Sequence, residues 1–131
     1  MINRQEIFNT VWSGAKGQNF KPSFKKRRSI RLDVKMTAEC RYRGEGGVKC
    51  HIGHLIPDEK YNPELEYAPL VEIAVRVANL IDPGEEIDKA HPDIMWLSDL
   101  QRAHDNNISS PELIEEGLRK FAVEYNLKIP E

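Results

Sequence analysis

With only two cysteines in 131 residues, the chain has too few for a disulfide framework. None of its apolar runs approaches the roughly 20 residues that a membrane span requires. The opening Met1-Ile2-Asn3-Arg4-Gln5-Glu6 lacks the basic-then-apolar order of a secretory signal. These absences point to a cytoplasmic setting with free thiols and no membrane partner. Internal repeats and low-complexity tracts are missing too. Aromatic side chains are thin around the most basic stretch, where Phe20 and Phe24 alone are available to stack on bases.

What is present is a globular composition, 40% hydrophobic and 31% charged, in a chain long enough for one core but not two. We therefore expect a single domain, 1–131, with a basic loop or arm at 18–37. The net charge of -2 hides an asymmetry. Residues 1–50 hold 12 Lys/Arg against 4 Asp/Glu, a surplus of 8 positive charges; residues 51–131 hold 7 against 17, a surplus of 10 negative ones. Such a split can mark a face for nucleic acid or an acidic partner, or two halves of one fold that attract each other.

Helix signals recur along the chain. Asn3 with Glu6 reads as a capping box ahead of an apolar face of Ile7, Phe8, Val11 and Trp12, with Gly14 and Gly17 ending the helix. Leu70 to Ile81 alternates like a strand at Val71, Ile73, Val75 and Val77, yet Leu70, Ile73, Ala74, Val77 and Ile81 form a helical stripe. Its length, and Pro69 at its start, favour helix. Pro92 opens a third helix with Ile94, Leu97, Leu100 and His104 on one side. Ser110-Pro111-Glu112 starts a last one, whose core face is Ile114, Leu118, Phe121 and Tyr125.

Ala38 to Arg43 and Val48 to Ile52 alternate apolar with polar residues around Gly44-Glu45-Gly46-Gly47, the pattern of a hairpin. A three-residue loop pairs Tyr42 with Val48 and Cys40 with Cys50. It sets Ala38, Cys40, Tyr42, Val48, Cys50 and Ile52 on one face and Arg41, Arg43, Lys49 and His51 on the other. The expected fold class is α+β: a small antiparallel sheet of two strands, with room for a third, packed against about four α-helices.

Cys40, Cys50 and His54 then share a side, with His51 pointing away. Zinc takes four N or S ligands, and His104 is the natural distant fourth. The alternative is that both cysteines are small core hydrophobes. Cys50 beside a histidine is also a candidate nucleophile, and His104 a candidate acid, base or ligand, or else a residue that satisfies helix-terminal carbonyls. Lys25, Lys26, Arg27, Arg28 and Arg31, together with Arg41, Arg43 and Lys49 if the arm folds beside the hairpin, form a phosphate-compatible surface. Otherwise the run is a solvated arm. The acidic residues Asp58, Glu59, Glu64 and Glu66 flank turns and read as capping and solvated groups.

Cys40-Arg41-Tyr42-Arg43, then Gly47, Cys50, Gly53 and Leu55-Ile56-Pro57-Asp58-Glu59, then Tyr61 and Glu66, and later Leu100-Gln101 with His104-Asp105, resemble a motif of small phage and prophage proteins of unassigned function. The resemblance covers roughly residues 1–15 and 38–127, and the insertion holding Lys25 to Arg31 is unusual for that family. It carries no activity with it, and in that pattern the position of His54 is often Cys or Ala, which weighs against an obligatory ligand there. It implies a non-enzymatic accessory protein that binds and modulates a host protein in the host cytoplasm, such as an inhibitor of a defence enzyme of the restriction or CRISPR kind. The alternatives are a nucleic-acid binder using the basic arm and hairpin face, and an enzyme or zinc protein using the Cys/His cluster. No cofactor is expected unless that cluster holds zinc.

Overall fold

In the computed structural model, residues 2–27, 37–82 and 87–130 are described, except for the side chains of residues 25–27 and 37–40. Four helices carry the fold. In α1 (Arg4–Gly17) the Asn3 side chain accepts from the Glu6 N–H at 3.1 Å, and Ile7, Phe8, Val11, Trp12 and Ala15 are buried. This is the stripe that 3.6-residue periodicity demands. The ambiguous segment is helical: α2 (Leu70–Glu72) runs on into the π-helical turn Ile73–Val77 and stops at Asn79, whose φ of 52° is left-handed. Its last turn closes through Ala78 N–H to the Ile73 carbonyl at 2.8 Å, the wider π spacing.

In α3 (Pro92–Asp105), His91 Nδ1 accepts from the Asp93 N–H at 3.1 Å. Its buried face is Ile94, Trp96, Leu97, Leu100 and His104. In α4 (Pro111–Glu124) the Ser110 hydroxyl accepts from the Leu113 N–H at 3.3 Å, and Ile114, Leu118, Phe121 and Ala122 are buried. α3 packs along α4, and aromatic rings tie α1 to both: Phe8 lies 6.2 Å from Phe121, and Phe121 lies 5.4 Å from Trp96, centroid to centroid. Each such large apolar side chain contributes about 1.5–3 kcal/mol on burial.

The expected α+β class does not hold. Helices make most of the core, and among the described residues no sheet layer covers them. Among the described residues the only ladder is a ribbon four residues long, β1 (Phe24–Arg27) against β2 (Thr37–Cys40), antiparallel with Phe24 opposite Cys40 and Arg27 opposite Thr37. The expected hairpin is absent, because Thr37–Cys40 pairs backwards with the preceding segment rather than forwards with Val48–Ile52. What remains of the forward pairing is a single Arg43–Lys49 bridge, flanked by Gly44 N–H to the Val48 carbonyl at 2.9 Å and Cys50 N–H to the Tyr42 carbonyl at 3.2 Å.

Cys50 therefore sits across from Tyr42, two residues away from the expected register. A two-residue shift preserves which side chains share a face, so the alternation could not detect it. The loop is five residues long and uses the positive φ of Gly46 and Gly47, 77° and 79°. Beyond Cys50 the chain coils into a 3₁₀ turn, Ile52–Leu55, packed between α1 and α3. Helical backbone at His51 turns its side chain inward, where a strand would have turned it out.

Candidate functional site

The proposed thiol and imidazole cluster occupies the seam between this turn and α3. Cys50 is fully buried, and its sulfur accepts from the Gly53 N–H at 3.3 Å. Burial pushes its thiol up to about 12, which favours the protonated form over the thiolate. Cys40 lies opposite Phe24 in the ribbon, not opposite Cys50, so the expected thiol pairing is not formed; the Cys40 side chain lies outside those described. His54 packs so closely on α1 that a Cβ on Gly14 would collide with its imidazole ring. Burial, with help from Lys49, holds its imidazole down to about 4, and its Nε2 has no partner.

His104 is fully engaged. Its Nε2 accepts from the Ser23 backbone N–H at 2.8 Å, and its Nδ1 lies 3.0 Å from Asp105 Oδ1. An N–H can only donate, so Nε2 offers its lone pair and the ring proton sits on Nδ1, directed at the carboxylate. His51, expected on the polar face, is buried with its ring 5.4 Å from that of His104. Its Nδ1–H donates to the Leu100 carbonyl at 3.0 Å, which leaves Nε2 as an unpartnered lone pair, and burial holds the ring down to about 3. Among the described residues no group of three or more His, Cys, Asp or Glu is arranged to hold a metal ion.

The basic residues of the expected hairpin face are engaged as well. Arg43 donates to Asp58 at 2.6 Å and to the Ile56 carbonyl at 3.1 Å, with its guanidinium 4.4 Å from the Tyr61 ring centre. Lys49 donates to the same Asp58 oxygen at 3.2 Å, and these two cations hold the Asp58 carboxyl below its usual range. Arg41 lies 4.0 Å from Glu66. Glu66 was read as a capping and solvated group beside a turn; its side chain is 5% exposed, so it is not solvated. It accepts from the Tyr42 N–H at 2.8 Å, the Arg43 N–H at 3.1 Å and the Tyr61 hydroxyl at 2.6 Å. It closes the Tyr42–Arg43 backbone where a strand partner would otherwise have done so.

The basic run is distributed differently. Lys25, Lys26 and Arg27 lie in β1, where Lys25 faces Glu39 in register; Arg28 and Arg31 lie outside the described residues. The ribbon has a built root. The chain enters it from Ser23 and leaves it at Arg41, and these two residues bond twice, Arg41 N–H to the Ser23 carbonyl at 3.3 Å and Ser23 hydroxyl to the Arg41 carbonyl at 2.7 Å. Ser23 is fully buried, and Gly44 is packed so tightly on it that a Cβ there would meet the Ser23 hydroxyl at 2.7 Å.

Sequence reasoning missed Ser23, and it named Glu66 and Gln101 without their roles; Gln101 accepts from the Ile52 N–H at 2.9 Å and donates to Asp105 at 2.9 Å. No periodicity marks such residues, because each bonds to backbone far away in the chain. Compared with protein-family models, with curated proteins and with solved structures, the chain matches none of them.

Proposed function

We propose that the protein is a non-enzymatic, phage-type accessory protein that binds a host protein and modulates it, with the basic ribbon as the contact to an acidic surface. One observation favours the ribbon over the rest of the molecule. Arg41, Arg43 and Lys49 are engaged by Glu66 and Asp58 within the chain, which leaves the basic run Lys25, Lys26 and Arg27 in β1, joined to the body at Ser23, as the candidate contact. The thiol and imidazoles considered for chemistry serve the packing of that root and of the turn beside it.

The test is co-purification from the host with the wild-type chain and with a variant carrying Lys25, Lys26, Arg27 and Arg28 as Gln. A partner identified with the wild type and held at least tenfold more weakly by the variant supports the reading. Undiminished binding by the variant removes the ribbon from it.

Nucleic acid is the second reading, because two-stranded β-ribbons can enter a nucleic-acid groove and Lys/Arg contacts to phosphate release counterions. Filter binding should then weaken linearly on a log–log plot against salt, with a slope that shrinks in the same variant. Salt-insensitive binding excludes it. The zinc reading is addressed by elemental analysis of the purified protein, where one equivalent of metal would reopen the Cys/His cluster.

A further inference from the structure

We propose that the outer face of α3 and α4 is a self-complementary surface on which a second copy of the chain docks, giving a weak two-fold dimer built as an antiparallel four-helix bundle. The inference goes beyond the ribbon's role and does not depend on it.

Exposed apolar side chains gather on this face. Among the described residues four large hydrophobic side chains stand in solvent, and three of them lie here: Met95 at 55%, Leu113 at 38% and Val123 at 82% exposed. Scattered hydrophobes on a surface need no explanation, whereas aligned ones mark a contact. These are aligned. Met95, Asp99 and Arg102 fall on one stripe of α3, and Leu113, Glu116, Lys120 and Val123 fall on one stripe of α4. Between the stripes a groove of about 300 Å³, with Ala103 and Gly117 in its lining, has room for side chains of a facing helix.

The two helices run antiparallel. A Cβ on Gly117 would meet the Ala103 carbonyl at 2.9 Å, while the Tyr125 hydroxyl reaches back to Asp99. Residues of α4 therefore rise in number as those of α3 fall. Lys120 is level with Asp99, Glu116 with Arg102 and Val123 with Met95, each to within about one helical turn of 5.4 Å.

That ladder decides which occupant fits. A two-fold axis parallel to the helices and midway between them lays α4 of one copy on α3 of the other and keeps every residue at its own level. Glu116 then faces Arg102 of the second copy, Lys120 faces its Asp99, and Val123 meets its Met95. Each contact occurs twice. Within one chain the four charges pair along their own helices, Lys120 to Glu116 at 2.8 Å and Arg102 to Asp99 at 3.1 Å. Their side chains remain 38% to 76% exposed, so both cations keep donors for a second carboxylate.

Each helix has 14 residues, which makes the face about 21 Å long and about 20 Å wide. Interfaces of that size lie at the small end of specific contacts, and the dissociation constant expected is about 10–300 µM.

The experiment is sedimentation equilibrium of the full chain from about 10 µM to about 1 mM, where a closed monomer–dimer equilibrium is expected. Glu116→Lys and Arg102→Glu each set like charges against one another twice across the axis, and each should weaken the dimer at least tenfold. An equimolar mixture of these two variants restores both pairs, so it should associate at least tenfold more tightly than either variant alone. Only contact between copies produces that rescue. Val123→Asp, at a side chain that supports nothing in the monomer, should weaken the dimer as well while the thermal midpoint of the dilute protein stays at the wild-type value.

A chain that stays monomeric at about 1 mM overturns the proposal. So do variants that associate as the wild type does, a mixture no tighter than its components, and open-ended association in place of a closed dimer. A basic ribbon that binds nothing leaves each of these outcomes unchanged.

Discussion

Leu97, Leu100 and Leu118 are buried in the helical body, and Cys50, His51, Ile52 and Ile56 are buried just as completely in the irregular segment beside it. The two regions reach the same burial by different means. In the body, backbone groups are satisfied within each helix, so the packing of one apolar stripe on another decides the geometry. In the segment from Arg41 to Glu66 there is little regular backbone pairing, and side chains distant in sequence complete it. Glu66 takes the N–H groups of Tyr42 and Arg43, Gln18 takes that of Lys49, and Gln101 takes that of Ile52. The first region tolerates exchange of one hydrophobe for another of similar size. The second depends on particular polar atoms, since a buried group left without its partner costs about 1–3 kcal/mol.

The sharpest way to test this contrast is in the body. Leu97→Ala should lower the unfolding free energy by about 2–5 kcal/mol, read from urea midpoints, through lost burial and the cavity left behind. A loss below about 1 kcal/mol would mean that the helical interface is not the stabilising core described.

Acid comes next and acts on the irregular segment. His51 and His54 are held down to about 3 and about 4 in the folded chain, mainly by burial, against an ordinary value near 6.5. Below pH 6.5 the unfolded chain takes up protons that the folded chain refuses, so this contribution is complete above 6.5 and declines as pH falls towards 4 and 3. The decline should reach roughly 2–4 kcal/mol by pH 5, and replacing His51 with a neutral ring such as Phe should flatten it by about half. A stability profile flat from pH 7 to 5 contradicts the burial of both rings.

Glu66→Ala should cost about 1.5–3 kcal/mol by removing charge-assisted bonds to two backbone amides, with hydrogen exchange rising first at Tyr42 and Arg43 rather than in α3. If the loss spreads evenly over the helices, the two regions are not separable in this way. Smallest of all, Asp58→Asn should leave the thermal midpoint indistinguishable from wild type. Its partners Arg43 and Lys49 are bonded by an exposed carboxylate, and such pairs stabilise little.

The contrast also explains what could be read in advance. Three helices, α1, α3 and α4, were legible, down to the Asn3 and Ser110 caps and most of their buried stripes, because caps act within three residues and stripes within a few turns; Leu70 to Ile81 read as both helix and strand, and its helical part stops at Val77. The segment from Ala38 to Ile52 was misread as a hairpin although its alternation is real. Alternation says which side chains share a face but not which strand lies alongside, and Thr37–Cys40 took Phe24–Arg27 as its partner. His51 was assigned to the wrong face because the backbone turns helical at His51 instead of continuing as a strand. Glu66 was read only as a capping or solvated group, since a glutamate beside a turn looks the same whether it closes a distant backbone or faces water.

By itself, then, the amino-acid order determined the helices, their ends and the apolar surfaces they present, because those are set by neighbours in the chain. Only the tertiary structure decided where the basic ribbon is rooted, which carboxylate closes the irregular segment, and that His51 faces inward. Those outcomes rest on bonds such as Ser23 to His104, 81 residues apart, whose partners are chosen by the packing of everything between them.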